Sequence, residues 1–346
     1  MAEYRSSGKE LRKSPKGVIA GGILFILVLF GIYGAVRIVR NINPLPTVPQ
    51  SSVEQQTTDV DIPIPSETTA PDENKIIFSY EARFLTDLAK GDLILVNREH
   101  ETSDLSEGLV SVYEKRNPHY TVRSTDIKLL EHAAIALSDM MQGFYDATGH
   151  EDVQVTGGYR TKSEQKKLHD KDSVTDNHSP DRTAAAGHSD HETGLAFDIN
   201  LYSDGVAAEF DGTGDYAWLT EHCADYGFIQ RYPADKVEQT KFSAEPWHFR
   251  YVGIPHAVYM TENGLCLEEY LTLLRNYSYE GERLQITDHL GQVYETFYVT
   301  AETEDEAGIV EIPAPSDIAH TISGDNTGGF IVTYATGETE TAAVTE

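Results

Sequence analysis

The spacing of hydrophobic and polar positions changes several times along the chain, and each change marks a different element. Val18 to Val36 (VIAGGILFILVLFGIYGAV) is an unbroken run without charge, long and apolar enough to cross a bilayer as one helix. From Asn41 to about Asn74, Pro, Ser and Thr dominate and large apolar residues are too sparse for a core, which predicts a flexible stalk. Beyond Lys75, helical and strand periods interleave, so an α+β body is expected. Ile127, Leu130, Ala134, Leu137, Met141 and Phe144 recur at steps of three and four. They predict an amphipathic helix with Ser124 or Thr125 as N-cap and Gly149 as its stop.

Val153 and Val155 alternate with polar residues and run into Gly157-Gly158, a strand ending in a tight turn. Ser163 to His169 then has helical propensity, which allows Arg160 and Gln165 to face one cleft. Leu195, Phe197 and Ile199 alternate with Ala196, Asp198 and Asn200, so the apolar set faces a core and Asp198 faces away from it. Phe249, Tyr251 and Val252 suggest a second strand carrying His248. Strict alternation there would place Glu245 and His248 on opposite faces, so a bulge or a turn at Pro246 is required to bring both to one point. Past residue 270, Leu284, Ile286, Val293, Phe297, Val299, Ile309, Ile312, Ile322, Ile331 and Tyr334 sit in short alternating runs. Gly291, Gly324 and Gly328-Gly329 punctuate them, predicting a small β module with hairpins and a disordered end.

Charge orients this arrangement. Arg5, Lys9, Arg12, Lys13 and Lys16 precede the apolar run against Glu3 and Glu10, so the positive-inside bias places the N-terminus in the cytoplasm, with Arg37 and Arg40 reducing the asymmetry. A cleaved signal peptide fits less well, because the run is long and Arg37 to Arg40 stands where a small-residue cleavage site belongs. The expected organisation is a cytoplasmic basic segment (1–16), a transmembrane anchor (17–40), a stalk (41–75), an extracellular body (76–270) and a β-rich extension (271–346). The formal charge of −29, from 56 acidic against 27 basic residues, argues against a nucleic-acid partner. Cys223 and Cys266 permit a disulfide outside the cell or two buried thiols.

The chemistry concentrates in Ser189-Asp190-His191-Glu192-Thr193-Gly194-Leu195-Ala196-Phe197-Asp198 and in Glu245-Pro246-Trp247-His248. His191, Asp198 and His248 offer two imidazoles and a carboxylate to a metal, and Glu245 adds a second carboxylate able to move protons. A hydrolytic zinc site needs such a set, with its fourth position open to water. The helical zinc motif His-Glu-x-x-His is absent, since Leu195 stands where its second His is required. His188 is a weaker ligand candidate, because the other three already complete the shell.

The segments GGYRTKSEQKKL, GHSDHETGLAFDI, YGFIQRYP and EPWHFRYVG resemble, in order, the signature segments of VanY-type D-alanyl-D-alanine carboxypeptidases, over roughly residues 76 to 270. The resemblance implies an α+β fold shared with the hedgehog signalling domain, Zn2+ as cofactor and cell-wall peptide stems as substrate. It assigns His191, Asp198 and His248 as zinc ligands and Glu245 as the catalytic base. Arg160 becomes the residue that steadies the developing oxyanion or the substrate carboxylate. Gln165, Ser189 and Tyr232 match positions lining the substrate cleft, and Trp247 joins them as a substrate-contacting candidate. Where the family commonly has Thr-Gly-Tyr before Glu-Pro-Trp-His, this chain has Thr240-Lys241-Phe242-Ser243-Ala244, which brings a positive charge near the cleft mouth.

The expected function is therefore a membrane-anchored carboxypeptidase that trims the terminal D-alanine from peptidoglycan stems, D,D or L,D. A cross-link endopeptidase and a non-catalytic zinc module binding wall or partner proteins are the competing readings. No catalytic constellation is visible in the extension, and the sequence names no partner for it.

Overall fold

The longest helix of the body forms where its apolar stripe lies, but begins later than the periodicity predicts. The computed structural model describes residues 76–105, 107–173 and 183–339. The basic segment, the anchor run and the stalk lie outside those residues. Among the described residues no helix is long and apolar enough to cross a membrane.

The helices are α1 (Val112–Lys115), α2 (Glu131–Thr148), α3 (Lys162–Ser173), α4 (Ala217–His222), α5 (Val237–Thr240), α6 (Ile254–Glu262) and α7 (Leu267–Leu274). Ser124 and Thr125 do not cap α2. Its N-cap is Leu130, without a side-chain bond, and Ser124 Oγ instead accepts from Asp126 N at 3.2 Å. Lys128–Leu130 is a strand, β4, paired with β2 (Leu109–Ser111), and Leu130 N donates to Gly194 O at 2.8 Å. Tertiary pairing thus overrides helical spacing at Ile127 and Leu130, whose side chains still pack on the core. Ala134, Leu137, Met141 and Phe144 are fully buried, and each large side chain contributes roughly 1.5–3 kcal/mol. Gly149 ends α2 with φ 75°, its N–H bonded to Tyr145 O.

That helix packs under a six-stranded sheet whose order is β3 (Thr121–Val122), β5 (Val153–Gly157), β6 (Ala196–Ser203), β9 (Glu245–Tyr251) and β8 (Phe228–Tyr232), with β7 (Val206–Ala208) added at the end of β6. β3 runs parallel to β5 and the other pairs are antiparallel. Leu195, Phe197 and Ile199 enter the core formed with α2, while Asp198 points to the opposite face. Cys223 and Cys266 are separate buried thiols.

β10 (Leu284–Thr287), β11 (Gln292–Thr300), β13 (His320–Gly324) and β14 (Gly329–Thr339) form an antiparallel sheet in the order β10-β11-β14-β13. β12 (Ile309–Pro315) pairs with β1 (Phe78–Phe84), so the start of the body and the extension share a ladder. Alternation along β14 serves two cores: Phe330, Val332 and Tyr334 join Phe297, Val310 and Ile312. Ile331 packs with Ala257, Met260, Leu267 and Leu271 of α6 and α7.

Polar contacts tie the sheet to the body. His256 on α6 sits between hydroxyls, its Nδ1 2.7 Å from Tyr270 and its Nε2 3.1 Å from Thr333 of β14. The β13–β14 tip grips the segment from Leu95 to Glu101: Leu95 N donates to Asp325 O at 3.0 Å. Asn326 Nδ2 donates to Leu95 O at 2.9 Å and Glu101 O at 3.0 Å. Asn326 is left-handed, φ 59°, and Asp325, fully buried, accepts the amides of Thr327, Gly328 and Gly329. The gripped segment in turn holds Gly187 O through Thr102 N at 2.8 Å, and His188 Nδ1 lies 2.8 Å from Asn97 O.

Asn326→Gly keeps the backbone but removes both side-chain bonds, and is expected to speed hydrogen exchange at the Thr102 amide and lower stability by about 1–3 kcal/mol. Asn326→Ala should be worse by a further 1–2 kcal/mol or so, because alanine resists the left-handed region. Burial pushes His256 down from 6.5 to about 4. Neutral when folded, its contribution is complete above pH 6.5 and lost as pH falls to 4, on the order of 3 kcal/mol. Thermal midpoints should decline across that window, and His256→Gln should flatten the decline at equal zinc loading. An unchanged slope would remove His256 as its cause.

Candidate active site

Neighbouring strands set the centre of the site by register alone. Asp198 on β6 pairs with Gly157 of β5 on one side and with His248 of β9 on the other. A glycine is needed at 157 because a Cβ there would stand 2.6 Å from Asp198 Oδ2. At Gly158 a Cβ would meet Lys128 O at 2.6 Å. Asp198 Oδ1 lies 2.8 Å from His248 Nδ1, and Oδ2 lies 3.1 Å from His191 Nε2.

His191 comes from a single 3-10 turn, Asp190–Thr193, that the sequence builds by itself. Ser189 caps it and Glu192 reaches back to Ser189 N, a reciprocal capping box closed by Gly194 at φ 70°. Glu192 also accepts from Gly187 N at 2.9 Å. The turn aims the imidazole inward, where its Nδ1 meets Gly158 O at 2.8 Å. Nδ1 then carries the proton and Nε2 presents a lone pair.

Glu245 reaches the same side through a bulge. Glu245–Phe249 of β9 runs against only Gln230–Tyr232 of β8, which answers the alternation problem and leaves Glu245 Oε2 4.0 Å from His248 Nδ1. Arg160 stands opposite. Its N–H donates to His191 O at 3.1 Å, its Nε donates to Gln165 Oε1 at 2.8 Å, and its Nη1 lies 3.9 Å from Asp198 Oδ2. Gln165, buried, anchors itself on Ala184 O at 2.7 Å. Arg160, Gln165, Ser189, His191, Asp198, Tyr232, Glu245, Trp247 and His248 all line one cavity of about 170 Å³. Tyr232 presents its ring there, because its hydroxyl donates to Asp190 at 3.1 Å. His188 turns away toward Asn97.

His191, Asp198 and His248 place one ligand atom each within 4.8 Å of one another. Burial, reinforced by the Arg160 charge, holds His191 down at about 4, so it is a neutral donor. Burial would raise Asp198, but the two imidazoles outweigh it and keep the carboxyl well below its usual range. Burial likewise would lower His248, and its contact with Asp198 raises it instead. A dication among these atoms would displace the proton held there, as metal binding to imidazole does. His248 Nε2 is buried without a hydrogen bond. Two nitrogens and a carboxylate oxygen match the donor preference of zinc, so the residues fit the ion.

Sequence reasoning overlooked a second charged layer beneath the ligands. Asp190 is buried between two fully buried guanidiniums: Arg231 Nε donates to its Oδ2 at 2.9 Å and Arg250 Nη1 donates to its Oδ1. Arg250 Nη2 also donates to Asp92 O and Ile94 O at 3.0 Å each, and Arg231 reaches Glu268 at 2.7 and 2.9 Å. Burial would raise Asp190, yet the two arginines hold it at about 2. The available signal was an Arg placed among strand residues in FIQRYP and in HFRYVG, where a charge survives only when paired.

Residues 126–254 match the family model described as VanY: D-alanyl-D-alanine carboxypeptidase. A D-alanyl-D-alanine carboxypeptidase of Enterococcus faecium is 30% identical over 260 residues, covering 73% of this chain and 78% of that protein. One from Enterococcus faecalis (strain ATCC 700802 / V583) is 37% identical over 188 residues, 49% of this chain and 68% of its own length. Among solved structures, the vancomycin-resistance D,D-dipeptidase VanXYg, crystallised with a D-Ala-D-Ala phosphinate analogue, superposes with TM-score 0.66 at 30% identity, over 75% of this chain and 99% of that one. With the mixed α/β body, the ordered motifs and these relatives in agreement, the chain belongs to the VanY family of D-alanyl-D-alanine carboxypeptidases.

Proposed function

We propose that the protein is a single-pass membrane enzyme whose zinc-dependent carboxypeptidase body works outside the cell, removing the terminal D-alanine of peptidoglycan stem peptides, D,D or L,D. The observation that carries this reading is the convergence of His191, Asp198, His248, Glu245 and Arg160 on one small cavity. His191, Asp198 and His248 would hold the ion. Zinc there supplies Lewis acidity, polarising a carbonyl and acidifying water.

The chain's own groups then have distinct work. Glu245, beside His248, is placed to accept a proton from the attacking water and to return it to the departing amino group. Arg160, steadied by Gln165, offers its guanidinium to the developing oxyanion or to the terminal carboxylate. Loss of one such donor costs about 10²–10³ in rate. Ser189, Tyr232 and Trp247 wall the cavity around the substrate. Its volume of about 170 Å³ is below that of pockets for drug-sized ligands, which supports a short terminal group over a cross-linked strand.

The cellular setting rests on the sequence: the Val18–Val36 run and the basic residues before it support an anchor with its N-terminus inside. A random-coil stalk of about thirty residues, as the Pro/Ser/Thr-rich composition after Asn41 predicts, would reach on the order of 30 Å and keep the enzyme on wall close to the membrane.

Mass spectrometry of pentapeptide and tetrapeptide stems incubated with the enzyme should show loss of one alanine that a zinc chelator abolishes, the stem shortened deciding D,D against L,D. No cleavage by a folded, zinc-loaded enzyme would shift the reading to an endopeptidase or a binding module. Glu245→Gln is expected to keep zinc and lose turnover, whereas His248→Ala loses both. An active Glu245→Gln enzyme would refute the assignment of the base.

A further inference from the structure

A second cavity, of about 430 Å³, is lined by residues on either side of the Phe242 contact, Arg98 and Lys241. Thr240 and Lys241 line it, and Phe242 next in sequence lines the cleft, its ring 4.9 Å from that of Tyr232. The Arg98 guanidinium, on the wall of this second cavity, stands 5.3 Å above the same Phe242 ring. Arg98 and the cleft residue Tyr232 thus share one aromatic neighbour, Phe242.

Three cations, Arg98, Lys241 and Arg275, and two carboxylates, Glu99 and Glu268, line this cavity, on a chain whose formal charge is −29. Lys241 Nζ lies 4.0 Å from Glu238 and Arg275 Nη2 lies 3.7 Å from Asp325, two carboxylates outside the lining. The Glu268 carboxylate is already engaged by Arg231 at 2.7 and 2.9 Å and by Asn97 at 3.3 Å. Arg275 is braced by the Thr327 hydroxyl at 2.7 Å, on the hairpin tip of the C-terminal sheet. Lys241 is left-handed at φ 61° with its side chain largely exposed. Glycine or asparagine takes that conformation more readily, so a lysine held there points to use of its charge.

We infer that this cavity binds an anionic group, a carboxylate or a phosphate, on the part of the substrate N-terminal to the cleaved bond. The inference rests on the carboxypeptidase reading: only one residue lies beyond the scissile bond, so any further contact belongs to the N-terminal part. Two extended residues cover about 7 Å, enough to pass an aromatic side chain. The cavity selects long acidic precursors over short neutral peptides, and the C-terminal sheet shapes that selection through Arg275 and Thr327.

The test compares the full-length enzyme with Lys241→Gln, Arg98→Gln and Arg275→Gln on three substrates. These are a neutral N-acylated tripeptide ending in D-Ala-D-Ala, a stem peptide with a free side carboxylate, and the same stem carrying an amide there and a diphosphate at its far end. Each substitution should raise KM for an anionic substrate about three- to tenfold with kcat unchanged, and leave the neutral tripeptide unaffected. Added salt should raise the same KM in the unsubstituted enzyme. A response to the stem carboxylate assigns the cavity to a carboxylate, and a response confined to the diphosphate assigns it to a phosphate. Unchanged KM for both anionic substrates, or an equal rise for the neutral one, overturns the inference. Failure of the unsubstituted enzyme on every substrate would instead count against the carboxypeptidase reading. In that case binding of the carboxylate stem to the Glu245→Gln chain, with and without Lys241→Gln, still decides the cavity.

Discussion

The carboxylate of Asp190 between Arg231 and Arg250 is the contact on which the rest of the site depends. It joins three pieces of chain distant in sequence: the capped turn that carries His191, the two edge-side strands β8 and β9, and the backbone at Asp92 and Ile94. All three side chains are removed from water. Leaving one charge of such a group without its partner typically costs 3–5 kcal/mol, so the arrangement tolerates little displacement. His191 inherits that rigidity because it is the next residue along, and its ring is then trimmed into place by Gly158 O.

The sheet supplies the other half of the geometry. Register places Gly157, Asp198 and His248 side by side across three strands, and the absence of a side chain at 157 lets the Asp198 carboxylate turn toward both imidazoles. The bulge in β9 solves a problem that alternation alone cannot, turning Glu245 to the face that His248 occupies. Distances at the site therefore follow from strand pairing and a short bulge, both stiff elements, while the loops contribute walls.

The C-terminal sheet takes part in the same structure. Its hairpin tip, with Asp325 satisfying three successive amides and Asn326 reaching two carbonyls, holds the segment that supports Gly187 and His188 just ahead of the His191 turn. His256 and Thr333 close a second polar contact inside an otherwise apolar junction. The likeness to VanXYg and to the Enterococcus faecium enzyme covers about three quarters of the chain, more than residues 76–270 supply.

The sequence by itself determined those features whose cause is local. Alternation at Leu195, Phe197 and Ile199 turned Asp198 away from the core, Gly149 ended the helix before it, and the ordered motifs pointed to a family; the capping box of Ser189 and Glu192 around His191 is equally local, although the structure was needed to show it. Tertiary structure decided what depends on a distant partner. Lys128–Leu130 became a strand because β2 and Gly194 compete for its backbone, so α2 starts at Glu131 and not after Ser124. Arg231, Arg250 and Asp190 became one buried network, although single charges within apolar strands say only that some partner must exist. The bulge beside Pro246 was required by the chemistry but located by pairing with β8. Side-chain periodicity reports which face of an element is apolar; which other element supplies the opposing charge, carbonyl or strand edge is decided only when the chain closes on itself.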